Sequence, residues 1–255
     1  MLHLVKSGTP SDEPPVILIH GLFGSGKNLG GIARRLNDHR EVISVDLRNH
    51  GDSFHDDDQT YPALADDLIE VIMANGGTAD LVGHSMGGKT GMIVALTRPE
   101  VVRKLAVLDI SPIGYGHTQM GLIDAMEALD LDGLKLRSEA DRRLSARIKD
   151  PGVRAFLLQS LDLKSDPPRW KMNLHALREH MPDMVGWPEG LQPGAFHGPT
   201  LFLSGANSDY CDVSGTAAIK TYFPQAEVRT IPDAGHWLHA EQPELVSGYI
   251  SDFLA

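Results

Sequence analysis

The sequence predicts an α/β architecture: a mostly parallel central sheet, helices on both of its faces, and a helical cap inserted between two strands. Three observations carry the prediction. Short apolar runs recur with helical stretches between them, most runs are followed closely by Gly, Asp, Ser or Pro, and the strand pattern lapses from about residue 112 to 197 before it resumes.

Taken in order, Val16–Ile19 is the first uninterrupted apolar run and reads as a buried strand. A helix over 28–36 follows, then a strand over 42–45. Residues 61–74 have the spacing of an amphipathic helix, with Leu64, Leu68, Val71 and Ile72 facing inward and Asp66, Asp67 and Glu70 on a solvated face. A strand over 79–82, a helix over 86–97 and a strand over 104–108 complete the first half. Helical periodicity at 121–129, 138–148 and 153–161, then a stretch bearing Trp and Pro, fills the gap before a strand at 200–203. A helix at 216–222, a strand at 227–231 and a helix at 243–253 close the chain. One core suffices for 255 residues. Residues 1–111 and 198–255 form the expected core domain, and 112–197 the cap, packed over the sheet edge where open α/β sheets place their ligands.

Composition narrows the function. A hydrophobic fraction of 42% and a charged fraction of 22% are ordinary for a globular protein. The net charge of -11 repels phosphate backbones and anionic membrane surfaces, and Arg34 with Arg35, Arg103 with Lys104, and Arg142 with Arg143 are isolated pairs, not a basic patch. No nucleic-acid partner is expected. Cys211 is the one cysteine, which excludes an intrachain disulfide and a cysteine-based metal cluster. No run approaches the ~20 apolar residues that span a bilayer, and Met1 to Lys6 lack the apolar stretch of a secretory signal, so a cytoplasmic, reducing setting is expected.

The chemistry is carried first by Gly83-His84-Ser85-Met86-Gly87, a G-x-S-x-G pattern set between a predicted strand and a predicted helix. The bare pattern is common by chance, and the strand before it and the helix after it remove most chance matches. A sharp turn lifts the Ser85 hydroxyl above the sheet edge, and the flanking glycines let neighbouring backbone pass. Ser85 then stands at a helix start, where the Met86 N–H can donate to the oxyanion of a tetrahedral intermediate. A second donor is needed. The loop His20-Gly21-Leu22-Phe23-Gly24-Ser25-Gly26 follows the first buried strand and offers the Leu22 N–H, with Phe23 placed to line an acyl pocket. The same glycines followed by Lys27 suggest a phosphate loop, but Asn28 stands where a Ser or Thr should meet magnesium.

A base must reach Ser85 from a neighbouring strand end. Among twelve histidines, His236 alone follows the last strand at a glycine turn, in Asp233-Ala234-Gly235-His236-Trp237. The acid has two solutions. The usual place lies past Gly205, where the count lands on Ser208 with Asp209 next to it. The other is Asp109, at the end of the strand after the nucleophile helix, among apolar neighbours. A buried carboxylate is costly without a partner, and a histidine would be one, so Asp109 is favoured and Asp209 is kept as the alternative.

Together these segments resemble the YbfF-type esterases of the α/β-hydrolase superfamily. The likeness spans nearly the whole chain. It rests on residues 20–25, on Asp46-Leu47-Arg48-Asn49-His50-Gly51-Asp52-Ser53, on Gly83-His84-Ser85-Met86-Gly87-Gly88-Lys89, on Asp109-Ile110-Ser111-Pro112, and on residues 234–237. The resemblance implies the α/β-hydrolase fold and hydrolysis of short acyl esters, or acyl thioesters such as acyl-CoA, with no cofactor and no metal. It also implies a Ser at the usual acid position and an Asp after the earlier strand, here Ser208 and Asp109. One departure is the short region before Val16, which abbreviates the customary leading strand pair. Rival readings are a cofactor-free haloperoxidase or perhydrolase, and a non-catalytic ligand-binding protein on the same fold.

Overall fold

The computed structural model describes residues 1–255. Its elements run β1 (His3–Ser7), β2 (Val16–Ile19), α1 (Gly30–Leu36), β3 (Val42–Asp46), α2 (Tyr61–Ala74), β4 (Ala79–His84), α3 (Met86–Thr97), β5 (Val102–Leu108), α4 (Met120–Glu127), α5 (Arg137–Leu144), α6 (Pro151–Leu158), β6 (Leu161–Asp162), β7 (Arg169–Trp170), α7 (Leu174–Glu179), α8 (Met181–Val185), β8 (Thr200–Gly205), α9 (Val213–Tyr222), β9 (Glu227–Ile231), α10 (Leu238–Glu241) and α11 (Pro243–Leu254). The main sheet has seven strands in the order β1-β3-β2-β4-β5-β8-β9, all parallel except β1, which runs antiparallel to β3.

Strand alternation divides the core into two layers. Ile17, Ile19, Ile43, Val45, Leu81, Leu105, Val107 and Phe202 pack on one face with α2 and α3, while Val16, Leu18, Val42, Val82, Ala106, Leu108, Leu201 and Leu203 pack on the other with α1 and α11. Each fully buried Leu, Ile or Val stabilises by roughly 1.5–3 kcal/mol relative to exposure, so the doubly covered strands dominate the stability of the sheet. Helix α3 is buried from Met86 to Leu96 because it lies between the sheet and α2, which is why its sequence is mostly small or apolar, with Lys89 and Thr90 as buried exceptions.

The sheet's far end, opposite Ser85, is clamped by a charge. Asp80 at the start of β4 is fully buried and accepts from Arg40 Nη2 at 2.7 Å and Arg103 Nε at 2.8 Å. Arg40 Nη1 also reaches the Leu254 carbonyl at 3.3 Å, so one carboxylate ties β4 to the last helix through its arginine.

Several expectations are corrected. The abbreviated leading pair is one edge strand, β1, whose half-exposed residues carry no buried run to announce it. The solvated acidic face of α2 holds for Asp66 and Glu70 only: Asp67 is clasped by Arg48, Nε to Oδ2 at 2.6 Å and Nη2 to Oδ1 at 2.9 Å. The helix expected at 28–36 begins at Gly30 after a short 3-10 turn, Gly26–Leu29, and α9 starts earlier than expected because Asp212 caps it through the Gly215 N–H at 2.8 Å. Between β5 and β8 lie α4 to α8 and the small antiparallel pair of β6 and β7. No helix is long and apolar enough to cross a membrane.

Candidate active site

The turn after β4 positions Ser85 with φ 53° and ψ -119°, a conformation disfavoured for a residue with a side chain. Two glycines make room for it. A Cβ on Gly83 would come within 2.3 Å of the Gly87 carbonyl oxygen, and one on Gly87 within 2.3 Å of that of Ile19. The Ser85 N–H donates to the Leu108 carbonyl at 3.0 Å, tying the turn to the end of β5.

The loop after β9 brings His236 Nε2 to 3.1 Å from Ser85 Oγ. On the other side of the ring, Nδ1 lies 2.7 Å from Asp109 Oδ2. A carboxylate at Nδ1 places the ring proton there, leaving the Nε2 lone pair to accept from the serine hydroxyl. Asp109 directly follows β5 in a left-handed conformation, φ 49°, and is 0% exposed. Its burial is offset by three donors: His236 Nδ1, the Gly205 N–H at 2.8 Å, and the Ser208 hydroxyl, which makes a short hydrogen bond to Oδ2. Asp209 is exposed and makes no ion pair or hydrogen bond through its carboxylate. The structure thus brings Ser85, His236, Asp109 and Ser208 together and leaves Asp209 outside.

The loop carrying His236 is braced from below. His84 Nε2 donates to the His236 carbonyl at 2.8 Å, and its ring sits 4.8 Å from that of His236 and 4.5 Å from that of His239. Burial holds His84 well below its ordinary value, reinforced by His239 and His236 beside it, so it stays a neutral donor.

The glycine-rich loop lies against Ser85: a Cβ on Gly21 would meet Ser85 Cβ at 3.1 Å. The Leu22 N–H has no acceptor within the protein, and the Met86 N–H belongs to the first turn of α3, where helical donors lack intrahelical partners. Two buried histidines shape this loop. His20 Nε2 accepts from the Leu47 N–H at 3.0 Å, and His50 Nε2 accepts from the Phe23 N–H at 3.2 Å while its Nδ1 donates to the Arg48 carbonyl at 2.9 Å. Burial, with His20 nearby, pushes His50 down to about 3, which keeps Nε2 unprotonated and able to hold Phe23 at its φ of 64°. Asn28 folds back to accept from the Ser25 N–H at 2.6 Å, so the residue that breaks the phosphate-loop pattern serves the loop itself.

Above Ser85 opens a cavity of about 440 Å³, within the ~300–1,000 Å³ range of small-molecule sites. Its floor is Gly21, Leu22, Phe23, Ser85, Met86 and His236. Its walls are largely apolar and come from the 112–197 segment through Leu122, Ile148, Val153, Phe156, Met184 and Val185, with Lys149 and Asp150 bringing charge to the lining. Met184 is buried and lines the cavity, whereas Met126, Leu157, Trp170 and Met181 are buried in the core without reaching it. Tyr61, Tyr115 and Tyr210 also line it and went unread, since each is single in sequence and acquires a role only when separate loops converge.

The sequence profile described as the α/β-hydrolase fold matches residues 14–243. The chain belongs to the α/β-hydrolase family. Within it, the mouse (Mus musculus) protein named sn-1-specific diacylglycerol lipase ABHD11 is 40% identical over 251 residues, covering 95% of this chain and 81% of that one. The Escherichia coli esterase YbfF is 36% identical over 246 residues, covering 95% and 94%. A solved structure named as a marine microorganism esterase superposes with a TM-score of 0.93 at 38% identity, covering 99% of this chain and 98% of that one. This α/β-hydrolase therefore falls in the YbfF-type group, and it is an enzyme of the serine-hydrolase, esterase type.

Proposed function

We propose that this hydrolase cleaves carboxylic esters through an acyl-enzyme on Ser85. The observation that carries the reading is the unbroken hydrogen-bonded series from Ser85 through His236 to Asp109 at the floor of an apolar cavity. His236 Nε2 takes the Ser85 proton as Oγ attacks the ester carbonyl, and the Leu22 and Met86 N–H groups receive the oxyanion. The imidazolium then returns the proton to the departing alkoxide. Water enters, His236 removes its proton as the water oxygen attacks the acyl carbonyl, and the imidazolium returns that proton to Ser85 Oγ as its bond to the acyl carbon breaks and the acid leaves. Asp109 keeps the ring oriented and balances its charge in both halves, with Ser208 holding the carboxylate. Residues 1–111 and 198–255 act as the catalytic core, and 112–197 as the cap that shapes the acyl pocket. The mostly apolar walls favour the acyl chain of an ester, and acyl thioesters such as acyl-CoA fit the same chemistry. A diacylglycerol, the lipid in the mouse relative's name, belongs in the same panel.

Ser85→Ala should lower kcat/KM on 4-nitrophenyl acyl esters by at least about 10³-fold and abolish fluorophosphonate labelling. A variant that hydrolyses at near the parent rate would sink the assignment.

A further inference from the structure

We propose that Tyr210 is a further catalytic residue: its aromatic face, stacked on His236, stabilises the imidazolium that forms when the base takes the Ser85 proton. The inference rests on the reading of His236 as the base. The two rings lie 4.0 Å apart between centroids and 22° from parallel, so the positive charge appears over the electron-rich face of the tyrosine. Asp109 meets the same imidazole edge-on at Nδ1. The two therefore act on the cation from perpendicular directions, one through a carboxylate and one through a ring face.

Lys149 and Asp150, beside the start of α6, line the same cavity as the imidazole, and the other side chains packed directly on the ring supply no competing charge. His84, from the end of β4, is 4.8 Å away, and His239, from α10, meets His84 edge-on at 4.5 Å. Burial first, then neighbouring histidines, hold both below their ordinary values, His239 at about 4. Ser208 faces Asp109 and is uncharged. Tyr210 itself stays a neutral phenol, since burial pushes its hydroxyl up.

The ring is held in place before any substrate arrives. The Tyr210 carbonyl accepts from Tyr115 Oη at 2.8 Å and Ser111 Oγ at 2.9 Å, its N–H reaches Ser208 Oγ at 3.3 Å, and its hydroxyl accepts from Gln119 Nε2 at 3.3 Å. His117 meets the ring edge-on at 4.9 Å and 90°. Every one of these contacts fixes the stacking plane without touching the imidazole, so the ring loses little further freedom when the charge forms. The arrangement also gives the loop after β8 a task although its usual carboxylate is absent: Ser208 holds the acid, and two residues on Tyr210 covers the base.

A graded series at one position tests this. Tyr210→Phe is the reference, and phenylalanines carrying one and three ring fluorines at position 210 keep the shape while draining electron density from the face. Against the reference, the acidic limb of kcat/KM on 4-nitrophenyl acetate and octanoate should move to lower pH as fluorines are added, by about half a pH unit at the trifluorinated end. Plateau kcat should fall about two- to fivefold, equally for both esters. Tyr210→Leu should show the same displacement in full. A limb that stays fixed across the fluorinated series overturns the inference, as does a loss confined to one chain length, which marks a pocket wall and nothing more. His236→Ala, assayed alongside, separates the two ideas: if it keeps activity, the base assignment fails, whereas an inert His236→Ala with a flat fluorine series refutes Tyr210 alone.

Discussion

Asp109 is the residue on which two lines of argument converge. It is fully buried, and three donors converge on its two oxygens. Asparagine can present one oxygen to those donors and must turn an N–H₂ group toward one of them, besides losing the charge that balances the imidazolium. Asp109→Asn should therefore cut kcat by about 10²–10⁴-fold, while Asp209→Asn, altering an exposed side chain, should stay within about threefold of the parent. Steady-state hydrolysis of a 4-nitrophenyl ester decides it, and loss in the Asp209 variant alone would reverse the assignment. The candidate site was legible in sequence wherever local backbone dictates its geometry. A strand, a strained turn and a helix announce Ser85, a glycine turn after the last strand announces His236, and the cost of an unpaired carboxylate announces Asp109. His50 and Tyr210 were not legible as parts of the site. Their effects depend on approaches of 3.2 Å to Phe23 and 4.0 Å to His236 between segments remote in sequence, and no local spacing encodes such approaches.

At the scale of elements, the contact between α3 and α8 carries an unusual burden. Lys89, one turn beyond Ser85, is 1% exposed and pairs with no carboxylate; its Nζ donates to the Val185 carbonyl at 3.3 Å and to that of Gly186, and it lies 4.8 Å from the Tyr115 ring and 5.6 Å from the Tyr61 ring. It thus joins α3 to the end of α8 at Val185 and Gly186, and Val185 is a wall of the cavity. Burial pushes the ammonium from 10.5 down to about 7. Between those values the unfolded chain holds a proton that the folded chain has released, so this group makes stability rise with pH from about 7 toward 10.5 and penalises the fold most at pH 7 and below. Lys89→Met removes that dependence. The melting temperature of the variant minus that of the parent should be most positive at pH 6–7 and decline steadily to pH 9.5; a difference that ignores pH would show that the buried amine carries no such penalty. Elements with a buried run or a clear amphipathic period, such as β2 and α2, were readable. Strand β1 and helices α7 and α8 were not, because β1 is half-exposed and the two helices are one or two turns long, each fixed by tertiary contacts.

At the scale of the whole molecule, the size of the insertion between β5 and β8 was apparent from the lapse in strand pattern, but its mode of docking was not. It is fastened to the core by scattered polar contacts: Asn173 N–H to the Asn49 carbonyl at 3.0 Å, Lys171 to Asp52 at 2.6 Å, and Ser160 Oγ to the Phe23 carbonyl at 3.1 Å. Such single polar pairs leave no periodic trace in a sequence. The same organisation explains an expected acid lability. Four histidines that position the site, His20, His50, His84 and His239, are all held below 6.5, chiefly by burial. As pH falls below 6.5, the unfolded chain takes up a proton at each more readily than the folded chain does, so stability drops with pH, by at most about 1.4 kcal/mol per unit for each group. Acid unfolding should accordingly begin well above the ordinary carboxylate range, and unfolding in urea at pH 5 should take up protons from the buffer. His239→Gln isolates one of them. With His239 at about 4 when folded and near 6.5 when unfolded, the variant should take up close to one proton fewer at pH 5, read with a pH indicator in weak buffer. It should also lose less stability than the parent between pH 6.5 and 4.5. Equal proton uptake by parent and variant would mean that His239 is already charged in the folded protein, and that the histidine cluster beneath the base is not the neutral scaffold its packing implies.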